Sequence, residues 1–263
     1  MTPMLGIMAS QISGHLSPIP LTNLKLWLDA SVASSITSSA TRVSQWNDLS
    51  AQGNNVVQAT AAYKPETGVA TINGLNALRF NNGAINQKIA SSGAASIWAF
   101  MGNATGCTVF TVGKYANAGV EGFLLLTYEG TNGTAGYIHY FGASAYCKTY
   151  SGGASTQAVV NTTTSTPGVT NPFSMVSIND PSNATASARN KIYLNSGSAL
   201  QNNTNTDSVN TGTPYQTLTI GNVGIQNGPY VGTVGEVIVY SGQLSGTDVS
   251  TVQAYLKAKW GTP

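Results

Sequence analysis

The stretch GPYVGTVGEVIVYSGQLSGTDVSTVQAYLKAKWG, residues 228–261, reads as a strand, a turn and a helix in succession. Near the end of the strand, at residue 240, both of its faces carry apolar residues. This is typical of a strand that is covered on both sides. Ser241-Gly242 then interrupts the pattern. We therefore expect a buried strand near the carboxyl end of the chain, followed directly by a helix.

The helix carries start and stop signals that agree with each other. Ser245 suits the N-cap, Asp248 three residues later can complete a capping box, and Gly261 marks the end. Its apolar residues recur at spacings of three and four, and they are Val249, Val252, Leu256 and Trp260. A helix with such a stripe must pack on another layer, which we expect to be a sandwich formed by the upstream chain.

Upstream of this stretch, short strand patterns alternate with polar turns. The predicted strands are 24–28, 43–47, 56–59, 77–80, 96–101, 107–112, 122–128, 137–141, 145–150, 172–180, 190–196, 216–222 and 235–240. Asn73-Gly74 and Asn82-Gly83 are hairpin or tight-turn signals. Residues 151–170 are either a long loop or a weak edge strand. Many short strands with one terminal helix predict an antiparallel sandwich in one domain.

Composition disfavours several classes of function. Charged residues make up 8% of the 263 residues, and the net charge is +2 without a basic run, so nucleic acid is not an expected partner. No apolar stretch reaches the roughly 18 residues that span a bilayer. The first residues lack the basic and long apolar regions of a secretory signal peptide, so we expect none. Two buried thiols are the favoured interpretation of Cys107 and Cys147, with a disulfide as the alternative.

Residues 1–20 differ from the rest of the chain. They are nearly uncharged, show little periodicity and end in Pro18 and Pro20. We interpret them as an N-terminal arm that anchors the module, and we assign residues 21–263 to the sandwich. The apolar residues expected to make the anchoring contacts are Met4, Leu5, Ile7, Met8 and Ile12.

The order of the motifs along the chain resembles that of known domains. The motifs are LKLWLDAS, VSQWNDLSAQGNN, INGLNALRFNNG, FSMVSIND, KIYLNS, LTIGN and the terminal strand, turn and helix. Together they resemble the concanavalin A-like, laminin G-like jelly-roll domains over about residues 24–261. The resemblance implies an all-β, antiparallel jelly-roll β-sandwich with one C-terminal helix. It implies no activity, because lectins, glycosidases and structural modules share this fold.

A second resemblance concerns PMLGIMASQISGH, residues 3–15, which is similar to the openings of many phage structural proteins. It implies a virion protein that is assembled in the host cytoplasm and displayed on the exterior surface of the particle. Such a protein would be present in multiple copies, as a capsid decoration or a tail-associated component, with other virion proteins as partners.

Candidate catalytic residues are poorly placed in the sequence. Glycoside hydrolysis needs two carboxylates about 5 to 9.5 Å apart. The nearest acidic pair, Glu121 and Glu129, would be roughly 26 Å apart on an extended strand. Only His15 and His139 could activate a nucleophile, and His139 alternates within a strand, which favours a packed or surface strand residue. We expect no catalytic residues, no cofactor and no enzymatic activity.

Two kinds of ligand stay open in the sequence. Asp29 and Asp48 could supply oxygens to calcium, which jelly-roll domains of this type often bind, although turn residues that bond to backbone amides are favoured. Glu236 is expected to form hydrogen bonds that fix a neighbouring loop. Candidate glycan contacts are Tyr115, Tyr128, Tyr146 and Tyr150, although packing in the sandwich is favoured for tyrosines in strands.

These observations lead to a hypothesis with one alternative. The hypothesis is a non-enzymatic phage virion structural protein, a displayed jelly-roll module anchored by its arm. The alternative is a carbohydrate-binding adhesin that recognises a host surface polysaccharide.

Overall fold

The protein is represented by a computed structural model. It describes residues 18–80, 87–116, 122–127, 137–141, 146–150, 157–161, 171–180, 182–185, 188–195, 197, 200–201, 214, 216–221 and 230–263. The strands are β1 (Leu24–Asp29), β2 (Ile36–Ser39), β3 (Arg42–Trp46), β4 (Val56–Val57), β5 (Thr71–Ile72), β6 (Leu75–Asn76), β7 (Leu78–Phe80), β8 (Lys88–Ser91), β9 (Cys107–Tyr115), β10 (Gly122–Leu126), β11 (Ile138–Phe141), β12 (Tyr146–Tyr150), β13 (Gln157–Asn161), β14 (Phe173–Asn179), β15 (Asn190–Leu194), β16 (Leu200–Gln201), β17 (Thr219–Gly221) and β18 (Gly232–Ser241). The α-helix α1 spans Gly246–Trp260, and short 3₁₀ helices cover Ala33–Ser35, Ala61–Tyr63 and Ala95–Met101.

The strands form two large antiparallel sheets. The first, which we call the helix-side sheet, has the order β1-β18-β9-β14-β15-β16, and β7 also pairs with β18. The second, which we call the large sheet, has the order β13-β12-β11-β10-β17-β8-β4-β3-β2. This arrangement confirms the predicted all-β sandwich with one C-terminal helix. None of the helices in the described ranges is long and apolar enough to cross a membrane.

Two apolar clusters hold together three layers, which are the large sheet, the helix-side sheet and α1. The interior cluster lies between the sheets and joins Trp46 and Ile89 of the large sheet to Val109 and Val237 of the helix-side sheet. The second cluster lies on the other face of the helix-side sheet, under α1. Strand β18 is therefore covered on both faces, as predicted, and all four residues of the predicted helix stripe are buried against the sheet. Burial of such side chains contributes about 1.5–3 kcal/mol each.

The N-cap at Ser245 and the stop at Gly261 confirm the predicted ends of α1, but the capping box is incomplete, because the Asp248 carboxylate accepts from the Ser245 hydroxyl and not from its backbone N–H. The Ser245 hydroxyl oxygen accepts from the Asp248 backbone N–H at 3.1 Å and also donates to the Asp248 carboxylate at 2.7 Å. At the other end Gly261 has a φ of 63°, a left-handed conformation that glycine adopts without steric cost, and its N–H donates to Lys257. The capping residues thus fix where the helix begins and ends.

A β-bulge corrects the predicted pattern of the first strand. Simple alternation would place Leu24, Leu26 and Leu28 on one face, but the register shifts between Leu24 and Leu26. Leu26 and Leu28 join the interior cluster, whereas Leu24 joins the cluster under α1 together with Ile19. An extra residue in a ladder moves the following side chains to the opposite face, which explains the difference.

The segment predicted as a strand at 96–101 is instead the 3₁₀ helix Ala95–Met101, so that prediction is wrong. Its apolar residues are too few for periodicity to separate strand from helix. Conversely, β13 pairs with β12 at the end of the large sheet, which confirms the edge-strand alternative for 151–170. Asn73 and Gly74 both have positive φ in the two-residue turn between β5 and β6, as the hairpin signal predicts. Asn82-Gly83 lies outside the described residues.

Candidate functional site

Several predicted site residues lie outside the described residues. They are the arm residues Met4, Leu5, Ile7, Met8 and Ile12, the acidic pair Glu121 and Glu129, and also His15 and Tyr128. Tyr146 and Tyr150 belong to β12, for which only the backbone is described. Tyr115 is only 1% exposed in the interior, where its ring lies 5.6 Å from that of Tyr230. The assignment of Tyr115 as a glycan contact is therefore wrong, because its strand turns it toward the other sheet.

Asp48 organises the loop between β3 and β4. One carboxylate oxygen accepts from the backbone N–H groups of Trp27 and Ser50, and the other accepts from the Ser50 hydroxyl and the Asn54 N–H, all at 2.8–2.9 Å. The Asp48 N–H in turn donates to the side chain of Asn55. These bonds support the interpretation of Asp48 as a turn residue, because protein donors engage both oxygens.

Asp29 lies at the end of β1 and has a similar set of partners. Its carboxylate accepts from the backbone and the hydroxyl of Ser31, at 2.9 and 2.6 Å, and from the ammonium group of Lys259. Within the described part of the chain, no three His, Cys, Asp or Glu side chains come together as a metal site. Neither Asp29 nor Asp48 thus belongs to a described group of three or more such side chains, the kind of set from which calcium takes its carboxylate ligands.

Glu236 is the centre of a buried polar network that we call the Glu236 cluster, made of Glu236, Trp27, Tyr255, Lys259 and Trp260. One carboxylate oxygen accepts from Trp27 Nε1 at 2.7 Å and Tyr255 OH at 3.1 Å. The other accepts from Lys259 Nζ at 2.9 Å and Trp260 Nε1 at 2.7 Å. The predicted role of Glu236 was to fix a loop, whereas the structure shows that it ties α1 to β1 and β18.

The surroundings of Glu236 have opposing effects on its pKa. Burial raises the pKa of Glu236 above its ordinary value, and the negative charge of Asp29 adds to this, whereas Lys259 and the hydrogen bond from Trp260 lower it. Asp29 and Glu236 are directly opposite each other in the ladder between β1 and β18. Sequence reasoning missed this acidic pair, because their chain separation hides a contact that depends on strand order.

The carboxylates of Asp29 and Glu236 are not accessible to a substrate from solution. Asp29 and Glu236 are 3% and 1% exposed, and donors of the protein engage their oxygens. Such an arrangement can hold a helix against a sheet, but it offers no accessible carboxylate to a glycosidic bond. His139 is also buried, as the packed-residue interpretation predicts, and burial lowers its pKa to about 3. The thiol of Cys107 is free and buried, and burial raises its pKa.

The surface of the large sheet near β8 carries a different kind of group. Tyr63 ends the 3₁₀ helix after β4 and is 40% exposed, the one aromatic among the large apolar side chains that stand exposed in the described ranges. The Lys88 ammonium lies 5.8 Å from the centre of its ring, within the range of a cation–π contact. The turn thus holds an aromatic ring and a cation together in contact with water.

Gln58 fixes the position of this turn. Its side-chain oxygen accepts from the Thr60 N–H at 3.0 Å, and its amide group donates to the Lys88 carbonyl at 2.9 Å. It therefore links the chain just before Tyr63 to the strand that carries Lys88. Because one side chain bridges both, Gln58 holds the backbone segments that carry Tyr63 and Lys88 next to each other.

Beside the turn, partly exposed residues continue across three strands. Gln45 of β3 is paired with Val57 of β4, and Val57 is paired with Ala90 of β8, so the three side chains lie in one row on the outer face of the large sheet. The row is uncharged. We call Tyr63, Lys88, Gln45, Val57 and Ala90 together the Tyr63 surface.

Sequence reasoning missed Tyr63, because it looked for tyrosines concentrated in strands. In this sandwich Tyr115, Tyr137, Tyr230 and Tyr240 are buried instead. Tyr63 follows the small residues Ala59-Thr60-Ala61-Ala62 and precedes Lys64-Pro65, outside any apolar alternation. The useful signal was an isolated aromatic in a segment with no packing pattern.

No protein-family model matches the chain, and no curated protein matches it in sequence. Solved structures match in fold. Trypanosoma rangeli sialidase, in complex with the inhibitor DANA, has a TM-score of 0.58 and 13% identity, with 96% of this chain and 35% of that chain covered. The chain therefore spans about a third of the length of the sialidases that it resembles.

Two further structures are similar over more of their own length. Domain 4 of AbnA, a GH43 extracellular arabinanase from Geobacillus stearothermophilus solved with arabinotriose, has a TM-score of 0.58 and 13% identity, covering 88% of this chain and 98% of that chain. Botulinum neurotoxin type C, whose cell entry depends on two ganglioside molecules, has a TM-score of 0.55 and 12% identity, covering 92% and 55%. At these identities the similarities establish the β-sandwich fold.

Proposed function

We propose that the protein is a non-enzymatic carbohydrate-binding module that recognises a polysaccharide through the Tyr63 surface. The observation that carries the proposal is the exposed ring of Tyr63, held in place beside an uncharged, partly exposed row of residues. An aromatic ring offers a flat apolar face to the C–H groups of a sugar, and nearby side chains such as Gln45 can exchange hydrogen bonds with its hydroxyl groups.

Two of the similar structures support this proposal. The arabinanase domain was solved with an arabinose oligosaccharide, and the toxin interacts with gangliosides. Both similarities cover most of this chain. The buried state of the acidic pair Asp29–Glu236 supports a binding role over hydrolysis, since a carboxylate must reach the glycosidic bond to act on it.

Replacing Tyr63 by alanine is expected to weaken polysaccharide binding at least tenfold, equivalent to about 1.4 kcal/mol, because central aromatic contacts contribute strongly to interfaces. A glycan array identifies the ligand, and isothermal titration calorimetry measures the affinity. The melting temperature should change little, because the Tyr63 ring is exposed.

Two variants serve as controls for this test. Tyr63→Phe keeps the ring and should retain most of the affinity, and Val69→Ala removes an exposed apolar side chain elsewhere and should have no effect. If the native protein bound no glycan on a broad array, the proposed function would be refuted. Full affinity in Tyr63→Ala would place any binding site elsewhere.

We propose, as a second candidate, that the module is displayed on the exterior of a phage particle. This rests on the sequence of residues 3–15, which resembles the openings of phage structural proteins. The two proposals are compatible, because an adhesin can be carried on a virion.

If the second proposal is correct, mass spectrometry of purified particles should find the protein in multiple copies. Deleting residues 2–17 should release it from the particles while leaving the sandwich folded, since this deletion keeps Ile19, which is buried in the cluster under α1, and all of the described strands, which begin at Leu24. A particle fraction that lacks the native protein would eliminate the virion role, and a truncated protein that still assembles would eliminate the anchoring role of the arm.

A further inference from the structure

Two cationic side chains contact the turn that carries Tyr63, and Lys64, the next residue in the chain, is a third cation there. The Lys88 ammonium lies over the Tyr63 ring. Arg42 of β3 donates from Nη1 to the backbone carbonyl of Lys64 at 3.2 Å. The Arg42 side chain is 44% exposed. Both cations therefore stand at the same turn, and both are reachable from water.

The positive charge at this turn is only partly compensated. Glu66 is the acidic partner of Arg42, at 3.7 Å, but it also accepts two hydrogen bonds from Arg79, the shorter at 2.5 Å. Two guanidinium groups thus share one carboxylate, which leaves one positive charge over. Across the described ranges Lys88 has no ion-pair partner, and it adds a second positive charge.

Other acids of the described chain are engaged elsewhere. Asp29 and Glu236 are paired with Lys259, and Asp48 closes its own loop. Asp180 accepts from Ser182 and Asn183, and Asp248 caps α1. Counted over the described residues, the net charge at the Tyr63 turn is therefore positive, in a protein that has few charges of either sign.

We propose that the ligand of the Tyr63 surface is an acidic saccharide, one that carries carboxylate or sulfate groups, with Lys88 and Arg42 as the residues that select it. This inference rests on the proposed carbohydrate-binding function and adds the chemical class of the ligand. The sugar ring would lie on Tyr63 and its anionic group would be held by the two cations. Hydrogen bonds between such ions are shorter and stronger than neutral ones, and guanidinium groups match the geometry of anionic oxygens.

The structure also suggests why neutral sugars would bind less well. A ligand on the Tyr63 ring comes close to the Lys88 ammonium and must displace some of its water. A neutral hydroxyl compensates a desolvated cation only in part, whereas an anion compensates it fully. The same cations therefore favour an acidic sugar and disfavour its neutral analogue, which is how a site gains specificity.

The test compares matched acidic and neutral polysaccharides with the full chain. One pair is polygalacturonate and its methyl ester, which isolates the carboxylate, and the other is dextran sulfate and dextran, which isolates the sulfate. Affinity electrophoresis and calorimetry are expected to give at least tenfold tighter binding to one acidic member than to its neutral analogue. Raising the salt concentration from 0.05 to about 0.5 M should weaken the acidic binding, because salt screens exposed charges.

Variants then locate the selectivity. Lys88→Gln is expected to lower affinity for the acidic polysaccharide about three- to tenfold without weakening the binding of the neutral one. Arg42→Gln should act in the same direction, but Arg42 also bonds to the Lys64 carbonyl, so Lys88→Gln is the decisive variant. Lys257→Gln is the matched control, since Lys257 is an exposed lysine on α1, far along the chain from this turn, and it should bind like the native protein.

The outcomes separate the two levels of the proposal. Equal binding of acidic and neutral members, with loss in Tyr63→Ala and no change in Lys88→Gln, would overturn the acidic class and leave the carbohydrate-binding function standing. Equal weakening by Lys88→Gln and Lys257→Gln would also overturn the inference, because it would show nonspecific attraction to a polyanion. No binding to any polysaccharide, on these pairs or on the glycan array, would remove the proposed function and the inference together.

Discussion

Replacing Trp260 by alanine is expected to lower the free energy of unfolding by about 3–5 kcal/mol, which is the usual cost of removing a large buried aromatic side chain. The indole of Trp260 is fully buried in the cluster between α1 and the helix-side sheet. It packs so closely on Gly235 that a Cβ added there would lie 2.9 Å from the ring. The substitution therefore leaves a cavity that the rigid strand beneath cannot fill.

The loss also has a polar part. Trp260 Nε1 donates to Glu236 at 2.7 Å, and without the indole one oxygen of a buried carboxylate loses a donor. Urea denaturation followed by far-ultraviolet circular dichroism measures the change, since the substitution itself alters tryptophan fluorescence. Lys257→Ala, an exposed change on the last turns of the same helix, is the control and should cost less than about 1 kcal/mol. A loss of similar size in both variants would contradict this account of the helix packing.

Replacing Glu236 by glutamine is expected to destabilise the fold by about 3–5 kcal/mol, although the two side chains have nearly the same shape. The four groups that contact the carboxylate, Trp27, Tyr255, Lys259 and Trp260, all donate to it. A glutamine amide has one accepting oxygen, and its NH₂ group would face donors. Lys259 keeps Asp29 as an acidic partner, so the cost comes mainly from the buried donors that lose an acceptor, at about 1–3 kcal/mol each.

Thermal and urea unfolding of the Glu236→Gln variant measure this effect. Asp248→Asn removes a carboxylate that is also next to α1 but lies at its exposed end, so it should cost less than about 1 kcal/mol. If Glu236→Gln proved as mild as Asp248→Asn, the cluster would contribute little to holding the helix. Such a result would assign the stability of that layer to the apolar contacts of α1 alone.

Sequence reasoning predicted best where the determining contacts are local. The caps of α1, its buried stripe and the turn at Asn73-Gly74 depend on residues a few positions apart, and the structure confirms all of them. The sandwich class followed from the number and shortness of the strands. Short apolar runs predicted less well. The predicted strand 96–101 has only six residues, too few to distinguish the two-residue repeat of a strand from the repeat of a helix, and the segment forms the 3₁₀ helix Ala95–Met101.

The Glu236 cluster was harder to predict, because it depends on which strands are neighbours. Trp27 and Glu236 are 209 positions apart in the chain and meet only because β1 pairs with β18. The same pairing brings Asp29 opposite Glu236. The exposure of Tyr115 was predicted wrongly, because the pattern of a strand does not show which of its faces is covered. The exposure of Tyr63 could have been predicted, because no strand or helix pattern surrounds it.

The central position of β18 has a consequence for how the chain reaches this structure. Strand β18 lies between β1 and β9 and also pairs with β7, yet it is the last strand in the sequence. During synthesis the ribosome therefore releases β1, β7 and β9 long before the strand that joins them exists. Proteins dominated by such distant pairings fold in milliseconds to seconds. The helix-side sheet can close only once residue 241 has emerged from the ribosome, so this layer completes its folding after all of its other strands have been synthesised.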